Sequence, residues 1–177
     1  RVMAAAANFA FVNRALVAHK ALGALAKAVG LNRTALGASL LYDVCHNIAK
    51  WETHRVDGVA RRLCVHRKGA TPAGKGVLGV IPGSMTAPGY IVRGTGVAES
   101  IASASHGAGR RMSRTKAKET LAASAVKQHL EAHGIELIGG GLDEAPMAYK
   151  DINTVMNSQR ELIEVLGSFT PKIVRMC

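Results

Sequence analysis

The stretch that decides the fold is Trp51-Glu52-Thr53-His54-Arg55-Val56-Asp57-Gly58-Val59-Ala60-Arg61-Arg62-Leu63-Cys64-Val65-His66. Two runs that suit extended backbone flank Asp57-Gly58, a dipeptide that accepts positive φ at both central turn positions. This predicts a two-residue hairpin. The chain before it has a different texture. Residues 4–28 open on an alanine run and place Phe9, Phe11, Leu16, Val17, Leu22 and Leu25 at near-helical spacing up to a stop at Gly30. Thr34 to Leu41 reads as a second helical stretch. Beyond the hairpin, strands are predicted at Val77–Ile81 and Tyr90–Arg93, separated by the punctuated run Pro82 to Gly89. A helix that breaks or runs through is predicted from Met112 to Gly134, then a short strand at Ile135–Ile138. Asp151 suits the cap of a final helix whose apolar stripe is Ile152, Val155, Met156, Leu162, Ile163 and Leu166. Ile173–Val174 would form a terminal strand. The expected class is α+β, mixed sheets with flanking helices, in one unit over residues 1–177.

Composition narrows the partners. The 177 residues carry 23 Lys+Arg against 12 Asp+Glu, a net charge of +11, with 48% hydrophobic residues. That excludes a disordered tail and supports one domain, or a large piece of one, with a real core. The charge favours a polyanion, nucleic acid being the commonest, or else marks a solvated basic surface with no specific task. The longest uncharged run, Gly76 to Val92, is broken by Pro82, Pro88 and glycines, so no transmembrane helix and no membrane partner are expected. With no basic-plus-apolar leader at its start, the chain reads as cytoplasmic. Cys45, Cys64 and Cys177 are odd in number and unpatterned, against a disulfide framework. The first residue is Arg, which suggests a fragment or a processed chain.

The densest chemistry lies in Ser105-His106-Gly107-Ala108-Gly109-Arg110-Arg111-Met112-Ser113-Arg114-Thr115-Lys116-Ala117-Lys118. Glycines let backbone N–H groups turn toward an anion, and a helix start adds positive potential. Arg110 and Arg114, four apart, would share a helix face and fork onto phosphates. A histidine at the mouth of such a cradle can serve as general acid or as nucleophile toward phosphorus. The alternative is a plain helix entry with a basic solvated face. In Tyr42-Asp43-Val44-Cys45-His46-Asn47, His46 is either a metal ligand oriented by Asp43 or Asn47, or a core histidine. Arg67 and Lys68 could meet phosphates at a strand end. Pro82-Gly83-Ser84-Met85 is a turn whose amides could hold an anion, and Tyr149 could stack on a base or simply pack.

In order along the chain, these segments resemble the RtcB family of RNA ligases. The resemblance rests on Ala6-Ala7-Asn8-Phe9-Ala10, Asn13-Arg14, Asp43 to Lys50, His66-Arg67-Lys68-Gly69-Ala70-Thr71 and Ile81 to Met85. It continues through Ser105 to Arg110, Met112-Ser113-Arg114, Asp143 to Pro146 and Ala148 to Asp151. It implies a GTP- and Mn(II)-dependent reaction joining an RNA 2′,3′-cyclic phosphate or 3′-phosphate end to a 5′-hydroxyl end, as in tRNA splicing and RNA repair. By that resemblance His106 is the nucleophile that carries GMP, and His46 is a manganese ligand with a place at the nucleotide. Asn47, Pro82, Gly83, Ser84, Met85, Gly107, Ala108, Gly109 and Tyr149 would surround the nucleotide, with Arg110 and Arg114 on RNA phosphates. The chain departs from the family at Gly89, where Ser is common, at Pro72, where Arg is common, and at Met176-Cys177, where many members have Lys-Gly. The family's other metal ligands (an Asp, a Cys and two His) would lie in a segment preceding Arg1. This chain would therefore be the C-terminal portion of one catalytic domain, inactive in isolation. The resemblance also implies RNA, GTP and, in some members, a small activating protein called archease as partners. A competing reading is a non-catalytic basic RNA-binding module on the same scaffold.

Overall fold

The computed structural model describes residues 2–45 and 47–176. The first helix, α1 (Val2–Ala28), follows the alanine-rich segment. It buries little of itself: among its residues only Ala26 is buried, and Phe9, Val12, Leu16, Val17 and Leu25 are exposed. By length and composition α1 is apolar enough to cross a membrane, which corrects the expectation that no such helix exists. Arg14, Lys20 and Lys27 break its uncharged runs while alanine keeps its mean hydropathy high, so a search for uncharged runs passes over it. The helix read at Thr34–Leu41 is absent. The chain turns through residues 33–37, where Gly37 has a φ of +63°, and then runs without regular structure to Cys45. Left-handed backbone at that glycine ends any helical continuation.

The hairpin forms as read, and it is longer. Strands β1 (Asn47–Val56) and β2 (Val59–Lys68) pair antiparallel from Asn47↔Lys68 to Val56↔Val59. Asp57 and Gly58 take φ values of +51° and +77°, the two positive angles their turn requires. Next, β3 (Ala70–Pro72) pairs with β6 (Ser103–Ser105). Between them, β4 (Leu78–Ile81) and β5 (Gly89–Gly94) pair antiparallel, and β8 (Ile163–Phe169) adds to the far edge of β5.

Ser113 caps α2 (Arg114–Thr120) by accepting the Lys116 N–H at 3.1 Å. The long helix predicted to Gly134 breaks at Leu121-Ala122 and resumes as α3 (Ala123–Ala132). The strand β7 (Glu136–Ile138) lies parallel to the terminal β9 (Ile173–Arg175). Asp151 caps α4 (Ile152–Ser158), accepting from Asn153 N–H at 3.0 Å. Replacing Asp151 by Ala removes that bond, and thermal unfolding should report a loss of about 1 kcal/mol.

The final helix is shorter than its apolar stripe suggested. Gln159 ends it, and Ile163 and Leu166 belong to β8 instead, with Leu162 just before the strand. The spacing misleads because Val155, Met156, Leu162 and Ile163 all pack on one core cluster, from a helix and from the turn and strand after it. That cluster centres on Ile81 and Ile152, both essentially free of solvent contact, with Val92, Ala104, Ala108 and Ile163 around them. A second cluster joins Met85 to Val126, Leu130, Ile135 and Ala145. Ala108 and Met85 thus tie the loops at 106–109 and 82–85 directly to the packed interior. The class is α+β, as read, with no closed barrel.

Candidate active site

His106 follows immediately on β6, and its place is set by backbone bonds. The His106 N–H donates to the Gly69 carbonyl at 3.3 Å, fastening it to the end of β2. One residue earlier, the Ser105 N–H donates to Oε1 of the buried Gln159 at 2.8 Å. Two residues later, the Ala108 N–H donates to the Pro82 carbonyl at 3.2 Å, joining the His106 loop to the Pro82–Met85 loop. Gly107 permits that approach, since a Cβ there would lie 3.2 Å from the Pro82 carbonyl oxygen.

These loops line one cavity of about 630 Å³. Pro82, Gly83, Ser84, Met85, His106, Gly107, Ala108, Gly109, Arg110, Arg114 and Tyr149 all reach it. A volume in this range holds small organic ligands. Lys68 also lines the cavity, as do Glu144, Pro171, Val174 and Met176. Of these, Lys68 carries a phosphate-contact reading from the sequence, and Glu144 and Met176 fall at positions named in the family resemblance. Asn47 lies outside the cavity wall but pairs in register with Lys68. His46 falls outside the described residues.

The glycine run differs from an open anion cradle. The amides of His106 and Ala108 are spent on carbonyls, and that of Gly107 faces Ser105 Oγ at 3.5 Å. The loop is held together by those groups, so the amides of His106, Gly107 and Ala108 are not turned toward an incoming anion.

The two arginines also depart from expectation. Arg110 precedes α2 and forms an isolated bridge with Tyr149, so Arg110 and Arg114 do not share a helix face. Ser113 as N-cap sets the helix start after both Arg110 and Arg111. Arg110 donates to the Asp143 carbonyl and, at 3.3 Å, to the Tyr149 hydroxyl, with its guanidinium 5.1 Å from that ring's centre. Arg114 pairs with Asp143 at 2.7 Å and with Glu144. The Tyr149 hydroxyl donates to Glu144. Burial pushes the Tyr149 pKa up, and the Glu144 carboxylate adds to the rise. Asp143 is held below the usual carboxylate range, first by its hydrogen bond from Arg114. The acids at 143–144 therefore neutralise part of the basic segment. These acids belong to the Asp143–Pro146 motif, but their pairing with Arg114 is not readable from sequence, because a Leu-Asp-Glu turn carries no spacing that points back to residue 114.

Arg67 is corrected as well. It is 3% exposed rather than presented at the surface. Its guanidinium donates to both Glu52 oxygens at 2.6 and 2.9 Å, to Ser103 Oγ at 2.9 Å and to the Ile101 carbonyl at 3.1 Å. Lys68, by contrast, makes no ion pair among the described residues and faces the cavity.

Of the three departures noted, Gly89 is explained by packing. It is buried at the start of β5, where a Cβ would collide with the Phe169 ring, and it does not line the cavity. Gly83 has a stricter requirement: a Cβ would stand 2.5 Å from the Pro88 carbonyl oxygen and 2.8 Å from Ala87 Cβ. The Gly83→Ala variant should lose about 2 kcal/mol, because backbone must move to admit the methyl group. Its melting temperature should fall by about 4–8 °C.

The family model described as tRNA-splicing ligase RtcB matches residues 1–176. The chain belongs to the RtcB family. It is 48% identical over 167 residues to the tRNA-splicing ligase RtcB of Archaeoglobus fulgidus, covering 84% of this chain and 35% of that protein. The tRNA-splicing ligase RtcB of Nanoarchaeum equitans is 38% identical over 195 residues, 98% of this chain and 41% of the relative. The RNA-splicing ligase RtcB of Mycobacterium tuberculosis is 39% identical over 176 residues, 90% of this chain and 40% of the relative. The chain thus spans about two fifths or less of the length of these curated RtcB relatives.

Proposed function

We propose that this RtcB-family chain supplies the GMP-accepting part of an RNA ligase, with His106 as nucleophile. The supporting observation is that the His106 loop, the Pro82–Met85 loop, Lys68 and Tyr149 converge on one ligand-sized cavity. In the proposed first step an unprotonated His106 ring nitrogen attacks the α-phosphorus of GTP. A P–N bond forms, the P–O bond to pyrophosphate breaks, and pyrophosphate leaves. An oxygen of the RNA 3′-phosphate then takes GMP from the histidine, breaking the P–N bond. The RNA 5′-hydroxyl attacks the activated 3′-phosphate and expels GMP, closing the strand. Lys68 would hold the nucleotide's phosphates as a point charge, and Tyr149 would offer an aromatic ring to the guanine.

Manganese is part of this reading by family resemblance. The described residues contain no group of three or more His, Cys, Asp or Glu side chains able to hold a metal ion. The described residues, which do not include His46, therefore do not make up a complete manganese centre; His46 would be this chain's contribution to one. A cytoplasmic location and an archease partner rest on the same resemblance.

The test is intact mass spectrometry after incubation with GTP and Mn(II). It is run on the 177-residue chain and on the chain co-expressed with the part of the Archaeoglobus fulgidus relative that it does not match. A GMP-sized, acid-labile gain in mass on this chain supports the proposal. A gain only in the reconstituted pair assigns the chain an incomplete site. No gain in a folded, manganese-loaded pair overturns it and favours an RNA-binding module.

A further inference from the structure

The β1–β2 hairpin has two unlike faces. Residues directly opposite in an antiparallel pair project to the same side. One side therefore carries Asn47, Ala49, Trp51, Thr53 and Arg55 against Lys68, His66, Cys64, Arg62 and Ala60. Every one of these is exposed except Ala49, which is half-buried. The other side turns Ile48, Glu52, Val65 and Arg67 toward the rest of the protein, while Lys50, Val59 and Arg61 on it are exposed. Glu52, the one carboxylate on the two strands, lies on that inner side. The outer face holds Arg55, Arg62 and Lys68 with no acid among them.

In the middle of this basic face stands Trp51, 64% exposed. The Arg62 guanidinium lies 5.1 Å from the centre of its ring. Burying a tryptophan normally stabilises a fold, and leaving one in water beside arginine and lysine calls for a partner. The chemistry suits a flat, polarisable, negatively charged polymer. An indole stacks on any unpaired base, and the flanking cations meet its phosphates. Duplex bases are already stacked and present no face to the ring. At about 3.3 Å per residue, the ten-residue strands run about 30 Å. Their inner end is Lys68, in the wall of the His106 cavity.

We infer that the outer face of the β1–β2 hairpin binds single-stranded RNA, with Trp51 stacking on a base and Arg55, Arg62 and Lys68 leading the strand toward the His106 cavity. This rests on the reading of RNA as the substrate class, and not on GMP transfer.

Trp51 is the chain's single tryptophan, so its fluorescence reports this face alone. The 177-residue chain is titrated with an oligouridylate of about twelve nucleotides, within the usual span of single-strand sites. Expected is saturable quenching that a duplex of equal length does not produce. Trp51→Ala should weaken binding by about 5- to 100-fold in an anisotropy assay, and Trp51→Phe should restore most of it. Arg62→Ala should lower the slope of log affinity against log salt by about 0.7, the loss of one phosphate contact. RNA that binds without changing the Trp51 signal overturns the inference. Equal binding by Trp51→Ala, equal quenching by duplex, or no RNA binding at all also overturns it. Quenching in a protein that forms no GMP adduct upholds the RNA face while removing the ligase reading. An adduct beside a silent indole does the reverse.

Discussion

On the proposed mechanism, His106→Ala should eliminate the GMP adduct, leaving no mass gain in the assay expected to label the unsubstituted protein. The expected effect is complete because, in the proposed step, the imidazole itself supplies the nitrogen of the P–N bond. Lys68 is the other amine on the cavity wall, and the His106→Ala variant also tests it as an alternative nucleophile. Folding should survive the change. The position is held by its backbone N–H on the Gly69 carbonyl and by the flanking Ser105 and Ala108 amides, all of which an alanine retains. A second variant, His106→Asn, keeps a polar group there and should also form no adduct. If either variant is labelled as strongly as the parent, the nucleophile lies elsewhere and His106 has another role. If labelling is lost only with the folded melting transition, the loss is structural, so the two are measured together.

The parts of this site that could be read in the sequence are those fixed by short-range chemistry. Asp57-Gly58 announces its hairpin because few other dipeptides accept two positive φ angles. Asp151 announces its helix start because an oxygen there satisfies a free amide. The cavity-lining loops were legible through their ordered motifs rather than through any local rule. What stayed hidden depends on contacts between distant segments. Asp143 and Glu144 meet Arg114 across about thirty residues, and nothing in a Leu-Asp-Glu turn points to that arginine. Arg67 reads as a surface cation because it stands with Lys68 where an apolar strand end runs into a basic turn. The two-residue period of a strand sends it to the opposite side, against Glu52 and Ser103. The misread end of the last helix has the same origin. A core cluster accepts Leu162 and Ile163 from a turn and a strand as readily as from a helix.

Arg67→Ala carries the largest expected loss of stability. The side chain links three segments: Glu52 on β1, its own strand β2, and the 101–103 turn that leads into β6 and His106. Removing one member of a buried ion pair costs about 3–5 kcal/mol, since the remaining charge keeps its burial and loses its partner. Glu52 is one-quarter exposed, so water can reach it and the lower end, about 3 kcal/mol, is expected. Acid should act on the same pair. The Arg67 hydrogen bonds hold the Glu52 pKa at about 2, below its ordinary 4.5, with a smaller contribution from His54 at 2.8 Å. A carboxyl whose folded pKa is depressed gives its stability in full above the unfolded value and loses it as pH falls through the folded one. The contribution is therefore intact above about pH 5 and disappears between there and about pH 2. The full shift would correspond to about 3 kcal/mol, and solvent screening of the exposed quarter reduces this to about 1–2 kcal/mol. Denaturant unfolding of the parent at a series of pH values should show that decline, and in Arg67→Ala it should be nearly flat over the same window. An Arg67→Ala protein as stable as the parent at pH 7, or one with an unchanged acid slope, would mean the clamp contributes little. Arg67→Lys separates charge from geometry: one ammonium cannot reach Glu52, Ser103 and the Ile101 carbonyl together. It should recover part of the acid dependence while the His106 segment stays loosened, seen as faster amide exchange at Ser105 and His106 than in the parent.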